Sequence, residues 1–468
     1  MRKFYYLLAV VAVAATSCQQ ERYTNDYHNE NSLTVEQTSP YAVSEDEAIE
    51  RLEGFMATFD CETRSKQRTI KKIDKVSYDD IFGVTRNSES ADIEDLIYIV
   101  EFEDGEGSAI LGADRRLEPV YAVLDESTLT IEDFNNAANG LNTDDINTYT
   151  AGIITNGLVI VDSLRPIIPS PNPGGGLISD MYKDIIVTTV DEDTFIAPML
   201  NTKWGQWGIF NDKFRVWGDP KETDGRQAAG CVTIALAQVL NHNSYPSPIT
   251  LNDNTFYWRD INQFTWDNNE AWQDPTLVEK MSFFTYHLAK DLKVTYYDDG
   301  STGATEEDVR RVMRRQGYSN FSFGDISESR VYPMLYNGRT VLAYGSVFSN
   351  GKYGHMWVID GWKSIRHAYI RITYDGFGVE KSRELTDSET IDYVHCNMGY
   401  DGECDGYYTM TLFDCTYIKS GDEMETGYGD KPYEPEDEPE DEEEDEEEDE
   451  EEILPIFAYN LGCMTYNF

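Results

Sequence analysis

The segment from Arg165 to Gly176, RPIIPSPNPGGG, divides the chain. Its four prolines and three glycines exclude a regular helix or strand, because proline lacks the backbone donor and glycine is costly to order. The chain has 468 residues, more than one ordinary domain needs. The break therefore predicts a smaller globular region over 44–164, an exposed linker over 165–190 and a larger region over 191–468. An extended, exposed linker is also where a protease would cut.

The first residues bear on location. Arg2 and Lys3 precede an apolar run from Phe4 to Ala15. Twelve helical residues span about 18 Å, short of the roughly 30 Å of a bilayer core. Residues 1–17 therefore read as a signal peptide. Ala15, Thr16 and Ser17 lead into Cys18, the pattern of a bacterial lipoprotein signal in which the cysteine is acylated and becomes the new N-terminus. The competing reading is an ordinary secretory signal with an incidental cysteine. The lipoprotein reading places the protein on a bacterial membrane, the outer membrane included, facing the periplasm or the outside. Residues 18–43 are polar and read as a flexible tether. Ser44 then offers a helix N-cap before Glu45, Asp46 and Glu47, and Ala48, Leu52 and Phe55 follow at helical spacing. Strand-like stretches begin at Leu96 and Ser108, so 44–164 reads as a small α+β unit.

Charge excludes one class of partner. The net charge is −48, and 434–452 holds 17 acidic residues in 19 positions. The rest of the chain is acidic too, so phosphate backbones are repelled and nucleic acid is not expected as a partner. The acidic run itself reads as a solvated, disordered insertion. The apolar, strand-like ending LPIFAYNLGCMTYNF predicts a return to the core after it. The seven cysteines are Cys18, Cys61, Cys231, Cys396, Cys404, Cys415 and Cys463. No CxxC spacing suggests zinc, and neither metal nor cofactor is expected.

Four segments carry chemistry. In GRQAAGCVTIALAQVLNHNSYP, from Gly225, a buried helix is predicted to begin at Cys231. A cysteine at a helix N-terminus meets unpaired N–H groups and the positive dipole end, both of which favour thiolate. The alternative is a small buried cysteine packing a helix start. In GKYGHMWVIDGW, from Gly351, His355 opens a strand-like run. Among six histidines, His355 and His395 are the candidates for a base near sulfur. His367 follows basic residues and reads as surface. In HCNMGYDGECDGYYTM, Asn397 could hold an imidazole in one tautomer. In LNTKWGQWGIFN, the Gln206 amide could donate to an oxyanion. Gln206, Cys231, His355 and Asn397 follow the order of roles in papain-like proteases.

At these residues the chain resembles the streptopain family of cysteine peptidases. The likeness lies in Trp204 to Gln206, Ala229 to Cys231, Ala237 and Gln238, Tyr245 and Pro246, Gly354 to Gly361, Asn397 to Gly399, and Asp405 to Tyr407. It covers about residues 198–415. Met398 stands where many members have Trp, and the acidic insertion is outside the family pattern. The resemblance implies an α+β fold: a papain-like catalytic domain behind a smaller α+β pro-domain over 44–164 that blocks the active site until removed. It further implies Cys231 as nucleophile, His355 as general base and acid, Gln206 in the oxyanion hole and Asn397 orienting the histidine. The expected partners are polypeptide substrates, the chain's own pro-domain and, through Cys18, a membrane. The expected activity is peptide hydrolysis by an anchored zymogen whose catalytic domain could be released by cutting the linker. A rival reading is a non-catalytic surface lipoprotein that retains the fold. A third is a cysteine amidase or acyltransferase.

Overall fold

The computed structural model describes residues 41–58, 68–82, 95–142, 145–160, 181–190, 194–216, 225–265, 269–297, 300–346, 354–374, 380–413 and 459–468. The signal peptide, Cys18, nearly all of the tether, residues 165–180 of the expected linker and the acidic run lie outside the described residues.

The N-terminal half opens with α1 (Glu45–Ala57), capped by the Ser44 hydroxyl, which accepts from the Glu47 amide at 3.3 Å. It continues through β1 (Ile70–Ser77), α2 (Tyr78–Phe82), β2 (Asp95–Phe102), β3 (Ser108–Gly112), β4 (Val120–Leu124), α3 (Ile131–Ala138), α4 (Ile146–Ile160) and β5 (Met181–Val190). The C-terminal half holds α5 (Cys231–Asn243), β6 (Ile249–Leu251), β7 (Asn254–Phe256), α6 (Trp258–Ile261), α7 (Asn269–Gln273), α8 (Pro275–Leu292), β8 (Thr295–Tyr296) and β9 (Thr302–Gly303). It ends with α9 (Glu306–Arg315), β10 (Ser319–Gly324), α10 (Glu328–Tyr336), β11 (Val341–Ser346), β12 (Gly354–Tyr374), β13 (Glu380–Asn397), β14 (Gly406–Thr409) and β15 (Tyr459–Asn467). The architecture is α+β, as the sequence predicts.

Eleven of these strands form one sheet that crosses both halves, in the order β1-β2-β3-β4-β14-β13-β12-β11-β15-β10, with β5 alongside β12. The seam is antiparallel: Ala122, Val123 and Leu124 of β4 oppose Tyr408, Tyr407 and Gly406 of β14. Strand alternation sends successive side chains to opposite cores. In β2, Ile97 and Ile99 join the core that contains α3 and α4, while Tyr98 and Val100 join the one that contains α1. In β12, Trp357 and Ile359 share a core with Ile153 and Ile154 of α4, whereas Met356 and Val358 pack with Val232, Leu236 and Val239 of α5. Strand β12 thus lies between α4 on one face and α5 on the other. Helix α5 is buried from Val232 to Asn241, as expected of a helix apolar on every side.

Two expectations are corrected. Residues 181–190, assigned to the linker, form β5 and pair from Met181 to Val190 with β12. Their β-branched run IIVTTV is a strand signal that the neighbouring prolines and glycines overshadow. His367, read as surface, is fully buried within β12. The expected return after the acidic run is present: β15 enters the sheet between β11 and β10.

Candidate active site

Cys231 is the first residue of α5, and Gly230 precedes it at φ 90°. A side chain at Gly230 would be strained by that φ and would meet the Thr302 hydroxyl at 2.2 Å. Glycine therefore allows the chain to turn directly into the helix. Of the described cysteines, Cys396, Cys404 and Cys463 are buried free thiols, and Cys231 is the one partly exposed. Burial still pushes the Cys231 thiol up; amide hydrogen bonds from Met356, Val232 and Cys231 itself act against that push. The Met356 contact places the sulfur beside the backbone that follows His355.

His355 lies near the start of β12, opposite Gly345 of β11. Its Nε2 is 2.9 Å from the Met398 carbonyl oxygen. A carbonyl can only accept, so Nε2 carries the hydrogen and Nδ1 is left as the base. Burial lowers the imidazole to about 4, the Met398 carbonyl opposing the shift. The ring is enclosed by aromatic groups: Trp357 stacks at 6.1 Å between centroids, Tyr400 lies at 5.5 Å and Tyr149 of α4 meets it edge-on at 5.2 Å. Beside Met398 the imidazole is thus shielded by Trp357 and Tyr400.

Asn397 does not make the expected contact with His355. Its Oδ1 accepts from Gln238 Nε2 at 2.7 Å and from the Gly399 amide at 3.2 Å, and its Nδ2 donates to the Thr202 carbonyl at 2.9 Å. With the amide committed on both sides, Asn397 holds the 397–399 segment, and the neighbouring Met398 carbonyl holds the ring. Asp405 braces the same residue by accepting from the Met398 amide at 2.7 Å. Gln206 is buried, and its backbone carbonyl accepts from the Ala229 amide at 2.8 Å. That bond places it beside the turn into Cys231. Its Nε2 has no hydrogen-bond partner among the described residues. An orphaned buried donor is costly, and a developing oxyanion would satisfy it.

His395, the other candidate base, is engaged elsewhere. Its Nδ1 is 2.6 Å from Asp360 Oδ1, and its Nε2 is 3.8 Å from Asp125 Oδ2, across the seam. Burial favours the neutral ring, but Asp360 and Asp125 outweigh it and hold its pKa up at about 10. Asp360 Oδ2 also accepts from the Leu200 amide at 2.8 Å. The Asp of the Ile-Asp-Gly motif therefore anchors structure and does not serve the nucleophile.

A thiol at a helix start, an imidazole held through Nε2 by the Met398 carbonyl and a buried amide donor without a partner among the described residues are groups that a cysteine hydrolase of the peptidase kind uses. The model of the peptidase C10 family matches residues 204–408, and the chain carries a cysteine-type peptidase. Among solved structures, a fragment of Prevotella intermedia prointerpain A with a cysteine-to-alanine substitution is similar at 18% identity, covering 73% of this chain and 93% of that one with a TM-score of 0.43. Active wild-type interpain A, a cysteine protease of the same organism, is similar at 21% identity over 47% of this chain and 88% of that one, with a TM-score of 0.33. No curated protein matches the chain.

Sequence reasoning missed Tyr149 and the Met398 carbonyl. Tyr149 sits in a helix without a charged residue and looks like core. A backbone oxygen has no letter in the sequence.

Proposed function

We propose that the chain is a cysteine endopeptidase made as a lipid-anchored zymogen, held inactive by residues 44–160 and tethered through Cys18. One observation carries the inhibitory part. Tyr149 of α4 lies edge-on to His355, donates to the Gly345 carbonyl at 3.3 Å and is close enough for a Cys231 thiolate to raise its own pKa, after the larger effect of burial. A ring in that place excludes a peptide from the nucleophile and keeps water from it. Dry surroundings favour a neutral thiol and a neutral imidazole. Removing α4 hydrates both groups and favours the thiolate–imidazolium pair.

In the opened site His355 Nδ1 takes the proton of Cys231, while Nε2–H remains on the Met398 carbonyl. The thiolate attacks the peptide carbonyl, and the oxyanion is held by Gln206 Nε2 and the Cys231 amide. His355 then protonates the leaving amine, and water releases the acyl group. The anchor at Cys18 is supported by the signal-like N-terminus alone.

The test compares intact protein with protein cut by limited proteolysis, under reducing conditions, using a fluorogenic peptide and an epoxide that labels Cys231. Cutting should raise both hydrolysis and labelling by at least about tenfold, because a covalently linked inhibitor acts at high effective concentration. Equal labelling before and after cutting would sink the inhibitory role. No hydrolysis in either form would sink the peptidase reading.

A further inference from the structure

Beside the catalytic residues lies a pocket of about 330 Å³ lined by Asp145, Ile146, Trp207, Tyr400 and Glu403. Trp207 follows Gln206 directly and is 43% exposed, unusual for so large an apolar ring. It packs on Tyr400 at 5.6 Å between centroids, and Tyr400 in turn packs on His355 at 5.5 Å. The two rings therefore extend from the imidazole that protonates the leaving amine. The side chain of the residue after the scissile bond begins one atom from that nitrogen and comes to rest on this side of the cleft.

The pocket's acid is fixed by a turn. The Glu403 amide donates to the Tyr400 carbonyl at 2.9 Å, and the central Asp401 and Gly402 have φ 56° and 96°. Asp-Gly suits a turn with positive φ at both positions. Among the described residues no ion pair engages Glu403. Lys203, whose side chain runs against Gly402, is paired in the intact chain with Glu126 at 2.7 Å, a partner that leaves with residues 44–160, so Lys203 stands beside Glu403 in the activated form and lowers, without cancelling, the pull of its carboxylate on a substrate cation. Asp145 and Ile146 belong to the start of α4 and leave with it, so Trp207, Tyr400 and Glu403 remain.

We infer that Trp207, Tyr400 and Glu403 form the subsite for the residue after the scissile bond and select an arginine or lysine there. The rings offer their faces to the cation and its aliphatic stem. Glu403 offers it a carboxylate, and repels an acidic residue. The inference rests on the peptidase reading.

The test uses the full-length protein, activated by limited proteolysis and titrated with the epoxide. It is given peptides identical except for Arg, Lys, Leu or Glu after the scissile bond. kcat/KM for Arg and Lys should exceed that for Glu by about tenfold or more, the gap narrowing as salt is added. In Glu403→Gln the Arg-to-Glu ratio should fall to within about threefold of unity. The ratio compares two peptides on one enzyme, so partial loss of active protein cancels. A flat series in the unsubstituted enzyme, or an Arg preference that survives both salt and Glu403→Gln, overturns the subsite while leaving the peptidase intact. Failure to cleave any peptide overturns both and is recognised by that.

Discussion

Gln206 is buried with a side-chain donor that has no partner among the described residues, which suits the oxyanion role proposed for it. A group kept unpaired in the resting protein is already oriented when charge develops, so no reorganisation is needed in the transition state. Gln206→Ala should lower kcat of the activated enzyme by about 10²- to 10³-fold with little change in KM, as expected when one oxyanion donor is lost. A loss confined to KM would show that Gln206 binds substrate instead. At this scale the sequence was informative where chemistry resides in side chains. Gln206, Cys231 and His355 are found around one helix start and one strand start. It was uninformative where a backbone atom acts, as at Met398. It could not separate His355 from His395, because the partners that commit His395, Asp360 and Asp125, lie 35 and 270 positions from it in the chain.

Among elements, β12 does the most positioning. Its first residues carry His355, its Asp360 holds both His395 of β13 and the Leu200 amide, and its distal half pairs with β5. Asp360 and His395 are both nearly inaccessible to water, so removing one partner strands the other. Asp360→Asn should lower the unfolding free energy by about 3 kcal/mol at neutral pH. The pH dependence follows from the shift at His395, from an ordinary 6.5 to about 10 in the folded protein. A raised pKa stabilises fully below 6.5, and the gain is lost as pH rises through about 10. The difference in denaturant midpoint between the parent protein and Asp360→Asn should therefore shrink near pH 10. A constant difference would mean that His395 is not charged in the folded state. Helix α1 and helix α5 were legible from one cap and one apolar run. Strand β5 was not, since its signal adjoins the strongest loop signal in the chain.

For the whole molecule, the sheet constrains where activation can occur. Residues 181–190 are paired along β12, and a paired strand cannot enter a protease cleft as an extended substrate. The productive cut should fall between residues 161 and 180, a narrower window than the composition of the linker alone indicated. Sequencing the new N-terminus after limited proteolysis reads this directly, together with the passage of the larger fragment from membrane to soluble fractions if Cys18 is the anchor. A first cut downstream of Val190 would contradict it. The shared sheet has a second consequence. If residues 44–160 depart as proposed, β14 loses β4 and becomes a sheet edge, with the unpaired backbone groups of Gly406 to Tyr408 open to any strand that can add there. An edge so short offers little to a stranger. It favours the segment that left, which alone brings Asp125 back to His395, so an enzyme liberated as proposed keeps a template for rebinding its own departed inhibitor.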